Sequence, residues 1–180
     1  SMLEVVGTGK WSQHECAFSL CGTGALSFSA VQLVAMQKEI KTLAELAQEA
    51  IRFVGTLSRT DSGATLVTLS GELGAGKTAY AKAIARALGV EEIVNSPTFV
   101  LEKIYLLPEG SAFKRLVHID AYRLKEGKDL IALGFDELMQ DTGTIILLEW
   151  PQKVADLLPK PAVQISMVAR ENAVRTVLYG

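Results

Sequence analysis

Eight consecutive residues, Gly71-Glu72-Leu73-Gly74-Ala75-Gly76-Lys77-Thr78, follow the spacing GxxxxGK[ST] and carry the chemistry of phosphate binding. Glycines at these places let backbone N–H groups turn inward and approach phosphate oxygens without Cβ interference. A helix starting here aims its unpaired donors and partial positive charge at the same anion. Lys77 is expected to reach the β- and γ-phosphates of a nucleoside triphosphate, and the Thr78 hydroxyl to ligate Mg²⁺. Read blandly, the octapeptide is a Gly-rich turn that happens to end in Lys-Thr. Its flanks argue otherwise, because an apolar run, Ala64 to Leu69, precedes it and a helical pattern, Ala79 to Leu88, follows.

A triphosphate site also needs acids that hold Mg²⁺ or its waters. Thr144-Ile145-Ile146-Leu147-Leu148-Glu149 is an apolar run that predicts a strand buried on both faces, with Glu149 at its end. That is the place of the second metal-supporting acid in such proteins, usually Asp. Glutamate has the longer arm and also suits orienting an attacking water. Asp120 ends another predicted strand, Arg115 to Asp120. It either lies beside the phosphates or caps the turn that follows, and spacing leaves both open. Ser96-Pro97-Thr98-Phe99 offers two hydroxyls in the interval where P-loop switches approach the γ-phosphate; the alternative is a plain strand-entry turn.

The elements that must position these groups can be traced along the chain. Leu43, Leu46, Ala47, Ala50, Ile51 and Val54 recur at helical spacing, with Thr42 as N-cap and Gly55 as stop. A strand from Thr98 to Leu107, a short helix from Phe135 to Gln140 and a terminal hairpin over 162–179 follow. Interleaved helices and strands with inserted hairpins predict a three-layer α/β domain on a mixed parallel and antiparallel sheet, of the P-loop NTPase kind. The domain is expected over 36–180, with Met36 a sensible start. Residues 1 to 35 form an extension of different composition, to which the sequence assigns no role.

Among the 180 residues, 49% are hydrophobic and only 21% charged, which excludes a disordered chain. A net charge of −2 excludes a whole-molecule basic field, so any RNA is expected to be met through a partner. No apolar run reaches membrane-span length, and Glu4 and Glu15 beside Lys10 spoil a signal-peptide start, pointing to a cytoplasmic protein that does not engage the membrane. Cys16, Cys21 and His14 lie close together but lack a second ligand pair for a metal. Guanine-reading Asn-Lys-x-Asp, a transporter-ATPase signature and a clustered arginine lid are all missing.

Four segments together resemble one family, the bacterial TsaE ATPases of tRNA threonylcarbamoyladenosine biosynthesis. They are the loop Gly71–Thr78, Ser96-Pro97-Thr98-Phe99, His118-Ile119-Asp120-Ala121-Tyr122-Arg123-Leu124 and Leu148-Glu149-Trp150-Pro151. Their order and spacing match, and coverage runs from about Thr42 to the C-terminus. The resemblance implies a small protein that binds ATP and Mg²⁺, hydrolyses ATP slowly alone, and supports TsaB and TsaD, which carry out the transfer to tRNA. It further implies that Lys77 and the backbone from Gly74 through Ala75 and Gly76 to Thr78 and Ala79 hold phosphates. Thr78 and Glu149 would serve the metal, Asp120 the metal or water, and Thr98 a switch-like loop. Trp150 would pack beside the nucleotide, with adenine near Thr42. This chain departs in having Glu72 for the usual Asp and Leu46-Ala47 where a Leu-Gly is common. Arg170 and Arg175 compete for the place of one family arginine. A P-loop small-molecule kinase and a nucleotide sensor without turnover are the alternative readings.

Overall fold

Strand order in this molecule follows from which apolar runs are covered on both faces. The computed structural model describes residues 36–92 and 101–180. The expected run Thr144–Glu149 is β5, buried at every position. It pairs in parallel with β2 (Thr65–Gly71) on one side and β4 (Arg115–Asp120) on the other. β2 pairs in parallel with β6 (Val163–Ala169). Antiparallel strands close both sides: β7 (Arg175–Tyr179) on β6, β1 (Met36–Ile40) on β7, and β3 (Glu102–Leu106) on β4. The order is β1-β7-β6-β2-β5-β4-β3, a mixed seven-stranded sheet.

Side-chain parity then makes three layers. Val67 and Leu69 of β2, Ile145 and Leu147 of β5 and Leu116 of β4 pack beneath α1 (Leu43–Val54) and α2 (Lys77–Ala87). Leu66, Ile146, Leu148, Val117 and Ile119 face the other way, under α3 (Lys128–Ile131) and α4 (Phe135–Met139). Polar ends of the same parity as the first layer therefore project to the α1/α2 side, and this puts Glu149, in step with Leu147, under the start of α2.

Thr42 caps α1 as expected: its Oγ1 accepts the Glu45 N–H at 3.1 Å, while Glu45 reaches back to the Lys41 N–H at 2.7 Å. The buried face of α1, however, is Leu46, Glu49, Ala50 and Phe53, whereas Leu43 and Ile51 stand exposed. Glu49 is tolerated inside because Arg52 and the Tyr179 hydroxyl both donate to it, at 2.5 and 2.6 Å. The expected terminal hairpin is β6–β7. Strand β1 and the short α3 were not legible, since Met36-Gln37-Lys38-Glu39-Ile40 is mostly polar and exposed and gains its order from pairing with β7. Among the described residues, no helix is long and apolar enough to cross a membrane. The segment 1–35, the strand's predicted start at 98–100 and the Cys16, Cys21 and His14 group lie outside the described residues.

Candidate phosphate-binding site at the ends of β2, β4 and β5

Parallel strands β2, β5 and β4 all end on the same side of the sheet, where ligands of open α/β folds bind. β2 ends at Gly71, whose φ of 140° and tight seat require glycine, because a Cβ there would fall 2.3 Å from the Met167 carbonyl oxygen. Gly74 and Gly76 continue the turn with φ of 79° and 103°, and Gly76 is the N-cap of α2. No side chain caps that helix, so its first donors face outward over the loop.

Lys77 folds back over this loop. Its Nζ donates to the carbonyls of Gly71 at 2.9 Å and Glu72 at 2.8 Å, and lies 3.7 Å from the centre of the Trp150 ring. Burial lowers its pKa from the ordinary lysine value, while the charges of Glu149 and Asp120 oppose that shift. Thr78 donates from Oγ1 to Glu149 Oε2 at 2.9 Å. Glu149 itself is sealed, with no exposed surface, and its other oxygen, Oε1, is 2.9 Å from His118 Nε2.

Asp120 is the register partner of Glu149 across β4 and β5, so the two acids stand side by side at adjacent strand ends. The alternatives left by its spacing are both realised. Asp120 Oδ1 accepts the Tyr122 N–H at 3.0 Å, capping a single 3₁₀ turn, and the residue also lines the cavity. Trp150 follows Glu149 in the left-handed region, at φ 61° and ψ 49°. That turn lays its ring over Lys77 and against Tyr122, centroids 5.0 Å apart.

Two cavities flank the loop. One of about 310 Å³ is lined by Leu73, Gly74, Gly76, Lys77, Thr78, Ala79, Asp120, Tyr122 and Trp150. A second, of about 260 Å³, includes Thr42, Leu43, Met167 and Arg175 and shares Gly76 and Ala79 with the first. The structure thus gathers Gly74, Gly76, Lys77, Thr78, Ala79, Asp120 and Trp150 at one cavity, with Thr42 at the adjoining one. Glu149 stands behind Thr78, not on the cavity wall. Ala75 is in the loop but its methyl is buried in the core and its N–H donates to Glu72 at 3.1 Å. Thr98 lies outside the described residues. Of the two competing arginines, Arg175 lines the second cavity, whereas Arg170 turns its Nε to Thr176. Sequence reasoning quoted His118 and Tyr122 but gave neither a role. The parity of Leu116, His118 and Asp120 was the available signal for the first.

Comparison with known proteins shows the family. The family model "Threonylcarbamoyl adenosine biosynthesis protein TsaE" matches residues 36–177. The tRNA threonylcarbamoyladenosine biosynthesis protein TsaE of Treponema pallidum is 34% identical over 128 residues, 71% of this chain and 90% of that protein. Its counterpart in Rickettsia prowazekii is 33% identical over 137 residues, covering 76% of this chain and 84% of that protein. Among solved structures, the crystal structure of Bacillus subtilis YdiB superposes with a TM-score of 0.62 at 26% identity, over 81% of this chain and 84% of that one. The loop, the paired strand-end acids and the sheet order therefore sit on a chain that belongs to the TsaE family of tRNA threonylcarbamoyladenosine biosynthesis.

Proposed function

We propose that this protein binds Mg²⁺ and ATP at the first cavity and hydrolyses ATP, and that this turnover supports TsaB and TsaD in modifying the tRNA adenosine next to the anticodon. The observation that carries the reading is the Thr78–Glu149 hydrogen bond beneath a glycine-turned loop at the mouth of a helix. The donor set suits Mg²⁺. Among the described residues no cluster of three or more acids, histidines or cysteines could cage a metal. Mg²⁺ in triphosphate sites does not need a cage, being held by one or two protein oxygens, waters and the phosphates themselves. Thr78 can spend its one proton on Glu149 and keep its oxygen lone pairs for the cation. When bound, the ion neutralises charge on the phosphates.

The remaining roles belong to the chain. Lys77 exchanges the carbonyls of Gly71 and Glu72 for phosphate oxygens, guided by backbone donors from Gly74 to Ala79. Asp120, on the cavity wall, orients the attacking water, and Glu149, behind Thr78, holds the metal side. The second cavity, walled by Thr42, Leu43, Met167 and Arg175, takes the adenine end. Thr98 remains a candidate for the γ-phosphate side. The protein is not itself the transferase in this reading, meets tRNA only within the assembly, and works in the cytoplasm.

Mg·ATP hydrolysis by the purified chain, alone and with TsaB, TsaD and tRNA, tests the proposal. Stimulation by the partners, abolished in Glu149→Ala while nucleotide still binds, is the expected result. Normal turnover in that variant would remove Glu149 from the mechanism, and phosphate appearing on an acceptor would establish a kinase.

A further inference from the structure

We propose that His118 is a positioning residue for Glu149: its imidazole Nε2 donates to one oxygen and holds the carboxylate so that the other oxygen serves Thr78. The inference rests on the reading of Glu149 as a functional acid and assigns a device that keeps it in place.

Glu149 is sealed from solvent, so every hydrogen bond to its carboxylate must come from the protein. Thr78 donates to Oε2 at 2.9 Å, and His118 Nε2 lies 2.9 Å from Oε1. An ionised carboxylate only accepts, which puts the proton on Nε2. His118 is itself fully buried, and its Nδ1 has no hydrogen-bond partner among the described residues. Backbone parity supplies the geometry. Leu116, His118 and Asp120 share one face of β4, and His118 is the register partner of Leu147, two residues before Glu149 on the adjacent strand.

The arrangement divides two neighbours that attract each other. Lys77 feels the charge of Glu149, and a carboxylate free to turn would bind the ammonium and take both groups from their tasks. With one oxygen held by His118 and the other by Thr78, Glu149 has no free rotamer for that pairing. Lys77 keeps to the loop carbonyls and the Trp150 ring, from which phosphate can draw it. His118 acts wholly through Glu149, since it does not line the cavity.

The test uses the full chain with His118→Leu and His118→Gln. Leucine removes the donor, whereas the glutamine amide can present an N–H near the position of Nε2. Steady-state hydrolysis of Mg·ATP should show kcat falling about 10- to 100-fold in His118→Leu, the usual effect of losing a group that orients a metal-site ligand. KM should stay within about threefold, and His118→Gln should recover most of kcat. Unchanged kcat in His118→Leu, or equal losses in both variants, would overturn the proposal. A second readout needs no turnover. The ¹⁵N spectrum of the imidazoles, with His118 assigned by its absence from His118→Gln, should show a proton on Nε2 that exchanges slowly and is lost in Glu149→Ala. Protonation at Nδ1 alone, or a signal indifferent to Glu149→Ala, refutes the contact. If the wild type hydrolyses no ATP even with its partners, the ATPase reading fails, and the spectrum still decides whether His118 holds Glu149.

Discussion

Lys77 lines the first cavity and feels the charge of both strand-end acids, and its present partners show how it can be moved. Two carbonyl oxygens and an indole face hold it by charge-dipole and cation–π attraction, which a phosphate, carrying full charge, outcompetes. Lys77→Ala is expected to weaken ATP binding by roughly 10- to 100-fold, the worth of one or two charge-assisted hydrogen bonds, with unchanged thermal stability. Titration calorimetry checks this. The same measurement separates the competing arginines. Arg175→Ala should cost about tenfold in ATP affinity, because the side chain lines the cavity beside Gly76, while Arg170→Ala should leave affinity intact. Which arginine faces the second cavity was not legible in the sequence, where both sit in one hairpin; the turn at Asn172 and Ala173, both at positive φ, sends Arg170 back to Thr176 and leaves Arg175 on the cavity wall. The placement of the loop lysine and threonine, by contrast, was legible because it follows from local backbone shape alone.

Elements differ in how far they could be foreseen. β5 announced itself as an unbroken apolar run, and α1 by period and cap. β1 did not, because an exposed edge strand has no hydrophobic pattern to display. The buried face of α1 was misjudged by one stripe, since Glu49 looks like a solvent residue until Arg52 and Tyr179 are seen to neutralise it. At this scale the junction of β2 with the loop is the least forgiving point. Gly71→Ala is expected to destabilise by about 3 kcal/mol or more, since it combines a left-handed backbone with a Cβ driven against the Met167 carbonyl. Denaturant unfolding measures it, and the change should be several times that of Thr42→Ala. Losing that cap should cost about 1 kcal/mol, a helix-end effect that leaves the sheet untouched.

Across the whole molecule, α1, α2 and β7 are joined by one buried polar chain. Tyr179 donates its proton to Glu49, so Tyr80, 2.5 Å from Tyr179, must donate to Tyr179 in turn. Burial pushes the Glu49 carboxyl up, but hydrogen bonds from Arg52 and Tyr179, with the charges of Arg52 and Lys38, outweigh it and hold the group below its ordinary value of 4.5. A depressed folded pKa stabilises the fold above the unfolded value and loses that contribution as pH falls through the folded one. Stability should therefore decline below about pH 4.5, and Glu49→Gln should flatten that limb in thermal melts taken from pH 3 to 7. Tyr179→Phe, which removes one donor to the buried carboxylate, should cost about 1 to 3 kcal/mol at neutral pH. Fold class was legible at this scale because layers follow from pattern, while the tyrosine–glutamate link was not, since its members lie far apart in sequence. That distance matters during translation. The wall of the second cavity needs Thr42 from early in the chain and Arg175 from late in it, and among the described residues β1 pairs only with β7. A ribosome-bound chain that already displays the whole Gly71–Thr78 loop still lacks one wall of the second cavity, so the proposed nucleotide capture is expected to tighten only once β7 has emerged.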